Sequence, residues 1–338
     1  MSTSERDNAR AEGGSVFAGI LGFLLILLVG PGGVPAEAGA SPSVYVFNIG
    51  SKDISVIDPS TQAVVRTIPL GTGVQWFSDR HFDGTYIWAT EANMERAVIL
   101  LLDPTTMRVA KRFDVGKGPD FAVKITPDLK EAWTHASGDN VVVVIDVKTH
   151  QVIRRIPVGE FPCDLDMSPD GGVIWEPDRD ADTVRALDRG TGAVKALLRS
   201  PQGSKPHMLT VSPDGTTVWV QEREGYSLAV IDARRFQLLE RIPVGTRPAT
   251  NEFTPDGRLT FVTHIGDEIV TVLDVGTRKK LADIRTGRGP VNTVFTPDGR
   301  YAYVTNHGSD TVSVIDVARL RVVRTIPVGK MPFGILIR

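Results

Sequence analysis

The chain has 338 residues, 41% of them hydrophobic and 23% charged, ordinary figures for a globular protein with ample core and no disordered-type composition. Residues 1–40 hold two of the 38 basic and four of the 40 acidic residues, so residues 41–338 carry 36 of each and are formally neutral. No net field draws such a surface to nucleic acid, and a polyanion partner loses support. Cys163 is the sole cysteine, which excludes an intrachain disulfide and reads as a small buried apolar residue.

The first element in chain order is Val16–Val29, a 14-residue run of apolar residues and glycines. It is short for a bilayer span and has the length of an export-signal core. Pro31, Gly32, Gly33 and Pro35 break any continuing helix, and Ala38-Gly39-Ala40 offers a small-residue cleavage site before Ser41. Residues 1–40 are therefore expected to be a signal peptide, or, if uncleaved, a membrane anchor through residues 16–29. Either way residues 41–338 are expected outside the cytoplasm: periplasmic, at the cell surface or secreted.

From there the sequence repeats. An apolar run ends in aspartate at Asp58, Asp103, Asp146, Asp188, Asp232, Asp274 and Asp316, at spacings of 45, 43, 42, 44, 42 and 42. After each aspartate comes a polar turn and a β-branched run. That run usually stops in an Ile-Pro-Val-Gly-like box such as Ile156–Gly159, Ile242–Gly245 and Ile326–Gly329, and it is degenerate around Leu197–Gly203. A loop proline follows (Pro119, Pro162, Pro206, Pro248, Pro290, Pro332), then a short apolar stretch and usually a Pro-Asp turn. The turns at Asp128, Asp170, Asp214, Asp256 and Asp298 are followed by glycine in four cases, a strong hairpin signal because glycine tolerates positive φ.

Each unit is thus four short strands, and a four-stranded period of about 42 residues is the spacing of propeller blades. The ends supply a check. The chain enters at Val44–Asn48 with a second strand and finishes at Pro332–Arg338 with a first strand. Joining them completes the first blade, so the expected fold is all-β: a seven-bladed β-propeller latched by its own termini.

Tyr303-Val304-Thr305-Asn306, with the aspartate-ended strand, the Ile-Pro-Val-Gly stop and the Pro-Asp-Gly hairpin, resembles the YVTN β-propeller repeat family over residues 43–338. The resemblance implies architecture rather than activity. That family includes surface-layer proteins, haem-d1-bearing domains, quinoprotein subunits, lactonase-like enzymes and single-stranded DNA binders.

Chemistry is expected on the face carrying the loops from strand two to three and from strand four to the next blade. The repeat register puts Asn48, Glu91, Ala136, Asp178, Glu222, His264 and Asn306 at equivalent positions there, with His135, His207 and His307 beside them. Imidazoles and carboxylates converging on the channel mouth suit a metal or cofactor. Loop residues making turn hydrogen bonds are the plainer alternative. Incoming loops also carry Lys117, Lys205, Arg247, Arg288 and Lys330, either an anion-attracting rim or solvated charges neutralised locally. The first incoming loop differs, lacking the proline and containing Trp76, Phe77 and His81. Arg66, Lys111, Arg154 and Arg324 read as protection of the outer edges.

No nucleophile elbow, P-loop, paired-cysteine metal site or haem-attachment motif occurs. The leading expectation is a binding or scaffolding propeller presenting its loop face to a protein, polymer or small ligand. The ligand set is Glu91, His135, Asp178, His207, Glu222, His264, Asn306 and His307, with no catalytic residue, metal or cofactor assigned. Two alternatives stay open. One is a metal-dependent lactonase or lyase using Glu91, Asp178, Glu222 and His264. The other is haem or quinone handling through His135, His207 or His264, as in some members of the family it resembles.

Overall fold

The computed structural model describes residues 42–76, 81–119 and 121–338, without the side chain of Trp76. The expected export segment 1–40 and Phe77 lie outside the described residues. Seven antiparallel sheets of four strands make up the fold, with no α-helix among the described residues. Blade 1 joins Pro332–Ile337 to Val44–Asn48, Asp53–Asp58 and Ala63–Pro69. The terminal strand pairs with the entering one from Val44↔Ile337 to Asn48↔Pro332, and Ser43 and Arg338 exchange backbone hydrogen bonds at 2.6 and 2.9 Å. The closure read from the two chain ends is therefore present.

Burial alternates with position in the blade. The third strand is the apolar centre, as in Val141–Asp146, where Val142, Val143, Val144 and Ile145 are all inaccessible to solvent. Outer strands such as Val194–Arg199 are largely exposed. In six of the seven blades one bulky side chain fills much of the inter-blade layer: Trp88, Trp133, Trp175, Trp219, Phe261 and Tyr303 are fully buried and packed against neighbouring valines, isoleucines and leucines. Burial of each such ring stabilises by roughly 1.5–3 kcal/mol.

The repeat aspartates have the structural role their position suggests. Asp103, Asp146, Asp188 and Asp274 each accept from the amide and hydroxyl of the threonine three residues on, closing the third hairpin. In the Pro-Asp turns the hydroxyl of Thr126, Ser168, Ser212, Thr254 or Thr296 donates to the aspartate. The residue after that aspartate is left-handed, with φ of 68–71° at the four glycines and 56° at Leu129. Leu129 is half exposed and leaves the strain of that conformation unrelieved by packing. Leu129→Gly should raise stability by about 1 kcal/mol, read as a higher urea midpoint at unchanged slope; a lower midpoint would show that Leu129 is held by packing after all.

One edge expectation is corrected. Arg154 does not stand as a solvated guard of its outer strand: its guanidinium lies 5.2 Å over Trp133 and donates to Glu131 and to the carbonyls of Arg189 and Gly190 in the next blade. With Arg189 on Glu131 and Asp128, it fastens blade 3 to blade 4. Long cationic side chains cover apolar surface as well as meeting water, which the strand pattern does not reveal.

Candidate functional site

Asn48, Glu91, Ala136, Asp178, Glu222, His264 and Asn306 each close the second strand of their blade, at equivalent places around the ring. The residue after each second strand lies on the loop face. Ile49, Arg179, Arg223, Ile265 and His307 donate their amides to the carbonyls of Met331, Phe161, Lys205, Arg247 and Gly289 on the incoming loop. Those incoming residues precede the loop proline, and Phe161, Lys205, Arg247 and Met331 take left-handed φ of 53–55°, where two other blades have glycine.

The side chains at the counted ring position bond within their own blades. Asn306 donates to Thr311 and Ser313, and Asn48 donates to Asp53 and Ser55. Glu91 pairs with Arg112 at 2.5 Å and accepts from Thr72, and Glu222 meets Arg241 at 3.0 Å and Ser227 at 2.7 Å. Asp178 takes Thr183, Arg185 and the Gly159 amide. His264 Nε2 meets the Thr271 hydroxyl, which donates to Asp283. Burial pushes His264 down to about 4, so it is neutral at pH 7. No group of three or more metal-ligating side chains converges among the described residues. His307 stands against Phe333 with ring centroids 5.6 Å apart, beside a cleft of about 440 Å³ lined by Ile265, Asp267, Glu268 and Arg288.

His135 and His207 are different, because the fold brings both against one aromatic ring. Phe121 lies 6.2 Å from His135, nearly parallel, and 5.8 Å from His207. Both imidazoles are buried. His135 Nε2 accepts the Phe121 amide at 3.2 Å, the role that Thr263 and Thr305 hydroxyls fill for Thr250 and Asn292 in blades 6 and 7. His207 Nε2 meets Arg223 at 2.8 Å. Because guanidinium only donates, Nε2 must be the acceptor and the His207 proton sits on Nδ1. Burial holds His135 down to about 3 and His207 well below its usual range, the latter reinforced by Arg223 and Arg179. Both are neutral at physiological pH.

Around this pair stand residues that ring counting at the asparagine position passes over. Phe121, Cys163 and Met208 form a small apolar cluster with Phe161. Cys163 is buried with its thiol on the His207 carbonyl at 2.8 Å, and burial raises its pKa, so it stays a thiol as the composition suggested. Arg179 caps the Phe161 ring at 3.6 Å and pairs with Asp180, which also takes Lys205. Arg247 pairs with Glu224. Arg179 and Arg223 occupy the ring position one residue beyond the counted one, and the same register would have found them.

Deeper in the channel, Lys124 meets Asp166 at 2.6 Å with both side chains almost fully buried. Asp164 and Asp166 accept the amides of Leu209 and Val211 on the next inner strand, both at 2.8 Å. Burial pushes Asp164 up to about 8 despite the Leu209 amide and nearby Lys124.

A closed ring of seven four-stranded blades is a β-propeller, and here its loop face gathers neutral imidazoles, aromatic rings and arginines on blades 3 to 6. The chain belongs to the YNCE-like beta-propeller family, whose model matches residues 35–298. It is similar to protein NirF of Pseudomonas aeruginosa, 34% identical over 92 residues, a match spanning 27% of this chain and 23% of that protein. Among solved structures it shares its fold with the dihydro-haem d1 dehydrogenase NirN, at 16% identity and a TM-score of 0.62, covering 89% of this chain and 76% of that one. A candidate 6-phosphogluconolactonase of Bacteroides fragilis shares it too, at 14% identity and a TM-score of 0.71, covering 90% of this chain and 99% of that one.

Proposed function

We propose that this is an extracytoplasmic binding protein that takes a small ligand at the mouth of its channel, between the loops of blades 3, 4 and 5. The carrying observation is the pair of buried, neutral histidines flanking Phe121 beside Arg179 and Arg223. Polar groups gathered around an apolar patch are the usual make-up of a small-molecule site. The expected export segment supports placement outside the cytoplasm, and no helix among the described residues is long and apolar enough to cross a membrane.

A metal-dependent lactonase reading gains little from the site, since Glu91, Asp178 and Glu222 each hold an arginine of their own blade. The likeness in fold to NirN, a dihydro-haem d1 dehydrogenase, favours a second reading, tetrapyrrole handling. The imidazoles as they stand do not fit as iron ligands through Nε2, because both Nε2 atoms are engaged, at 3.2 and 2.8 Å.

Protein isolated from its native host should carry a small molecule detectable by native mass spectrometry. His207→Ala should release it, and Arg288→Gln, in the cleft of blades 6 and 7, should retain it. Release by Arg288→Gln with retention by His207→Ala would move the site to that cleft and overturn the reading. A long-wavelength chromophore in the bound molecule would decide for the tetrapyrrole.

A further inference from the structure

Arg223 is mostly withdrawn from water, yet among the described residues no carboxylate lies within ion-pairing distance of it. Its one hydrogen bond runs from Nη1 to His207, and its Nε is buried without an acceptor. His207, only 7% exposed, likewise has a buried Nδ1 without a partner. Removing a cation from water without a partner costs several kcal/mol, so such an arrangement marks a position completed by something else.

The surroundings narrow what that is. Arg179 and Arg247 act on Arg223 as like charges, and Glu224 as an opposite one. Of the four cations at this mouth, Arg179 and Lys205 pair with Asp180 and Arg247 pairs with Glu224, while Asp182 takes the Lys205 amide. Arg223 alone of the four has no carboxylate partner among the described residues. Two other acids nearby carry no charge to meet it: Cys163 stays a thiol, and Asp164 holds its proton to about 8. A cationic or neutral occupant would leave this guanidinium unpaired.

We infer that Arg223 and His207 form a seat for a carboxylate group of the bound molecule, an assignment that rests on the reading of the channel mouth as the ligand site. With Nη1 committed to His207, the free edge of the guanidinium is Nε with Nη2, whose two parallel N–H bonds match the two oxygens of a carboxylate. Phe121 lies against His207, and Phe161 packs on the same apolar cluster beneath Arg179, which gives the body of the molecule an apolar flank. The ligand class is therefore a carboxylic acid with a flat apolar body.

The test uses 2-naphthoate, its uncharged amide 2-naphthamide, and inorganic phosphate, titrated into the full-length protein by calorimetry. Naphthoate is expected to bind at least about tenfold more tightly than naphthamide, a margin of about 1.4 kcal/mol. Arg223→Gln should abolish that preference, Arg223→Lys should restore only part of it because ammonium lacks the fork, and Arg288→Gln should leave it unchanged. Equal binding of acid and amide, lost together in Phe121→Ala, would overturn the carboxylate seat while leaving the mouth as the ligand site. Phosphate binding as tightly as naphthoate would reassign the seat to a phosphate. No saturable binding of any probe to the wild type would overturn both assignments.

Discussion

Deleting Pro332–Arg338 should collapse cooperative folding or lower the melting temperature by about 10 °C or more. The segment is the inner strand of blade 1 and pairs with Val44–Asn48 along its length. Its Leu336 and Ile335 are almost fully buried, in layers with Phe47 and Val74 on one side and Tyr303 and Val312 on the other. Losing two such side chains costs about 3–6 kcal/mol at 1.5–3 kcal/mol each, a large part of an ordinary domain's stability of about 5–15 kcal/mol. The deletion also frees Thr305 and Asn292 of blade 7 from the Phe333 carbonyl and uncovers a strand edge. Calorimetry on the truncated chain decides the matter. An unchanged, single cooperative transition would show that the ring holds without its latch.

The second large effect is a pH dependence that runs opposite to that of the surface carboxylates. Asp164 titrates near 8 in the folded chain and near 3.8 when unfolded, so between those values the folded state holds a proton that the unfolded state has lost. Stability from this group is fully present below pH 3.8 and is lost as pH rises through 8. The slope is about 1.4 kcal/mol per pH unit, or about 2 kcal/mol from pH 6.5 to 8. The histidines slope the other way. His135, His150, His207, His264 and His307 all have folded pKa values below the ordinary 6.5, so the unfolded chain holds protons that the folded one lacks until pH is well above 6.5, and their contribution rises with pH in both the wild type and a variant at Asp164. Glu176, which burial also raises, slopes the same way as Asp164 and is common to both proteins compared. Asp164→Asn keeps an oxygen for the Leu209 amide and removes the proton. Urea midpoints measured from pH 6.5 to 8 should fall more steeply for the wild type than for Asp164→Asn. Parallel profiles would mean that Asp164 is ionised in the folded protein throughout.

The architecture was legible because a repeat states its structure several times over. Seven aspartates at spacings of 42–45 residues, Pro-Asp turns and the unmatched strands at the two ends determine blade number, strand order and closure before any contact is known. Register also placed Glu91 and its equivalents at the end of the second strand, since position along a strand is a matter of counting. Where those side chains turn is not. Alternation puts Asn306 and Thr305 on opposite faces, but only the packed ring shows that Asn306 binds back into its own blade while Thr305 reaches the next. Glu91, Asp178 and Glu222 look like free carboxylates in the sequence because Arg112, Arg185 and Arg241 meet them across hairpins, separated by 21, 7 and 19 residues. The conjunction of His135, Phe121, His207 and Arg223 was beyond counting as well. It unites blades 3 and 5, the latter through a bulged inner strand, and a bulge shifts which side chain faces the channel without leaving a mark in residue type. Charge completes the contrast. Residues 41–338 are neutral in sum, and only tertiary structure decides that four cations share one mouth and that Arg223 among them has no carboxylate partner among the described residues.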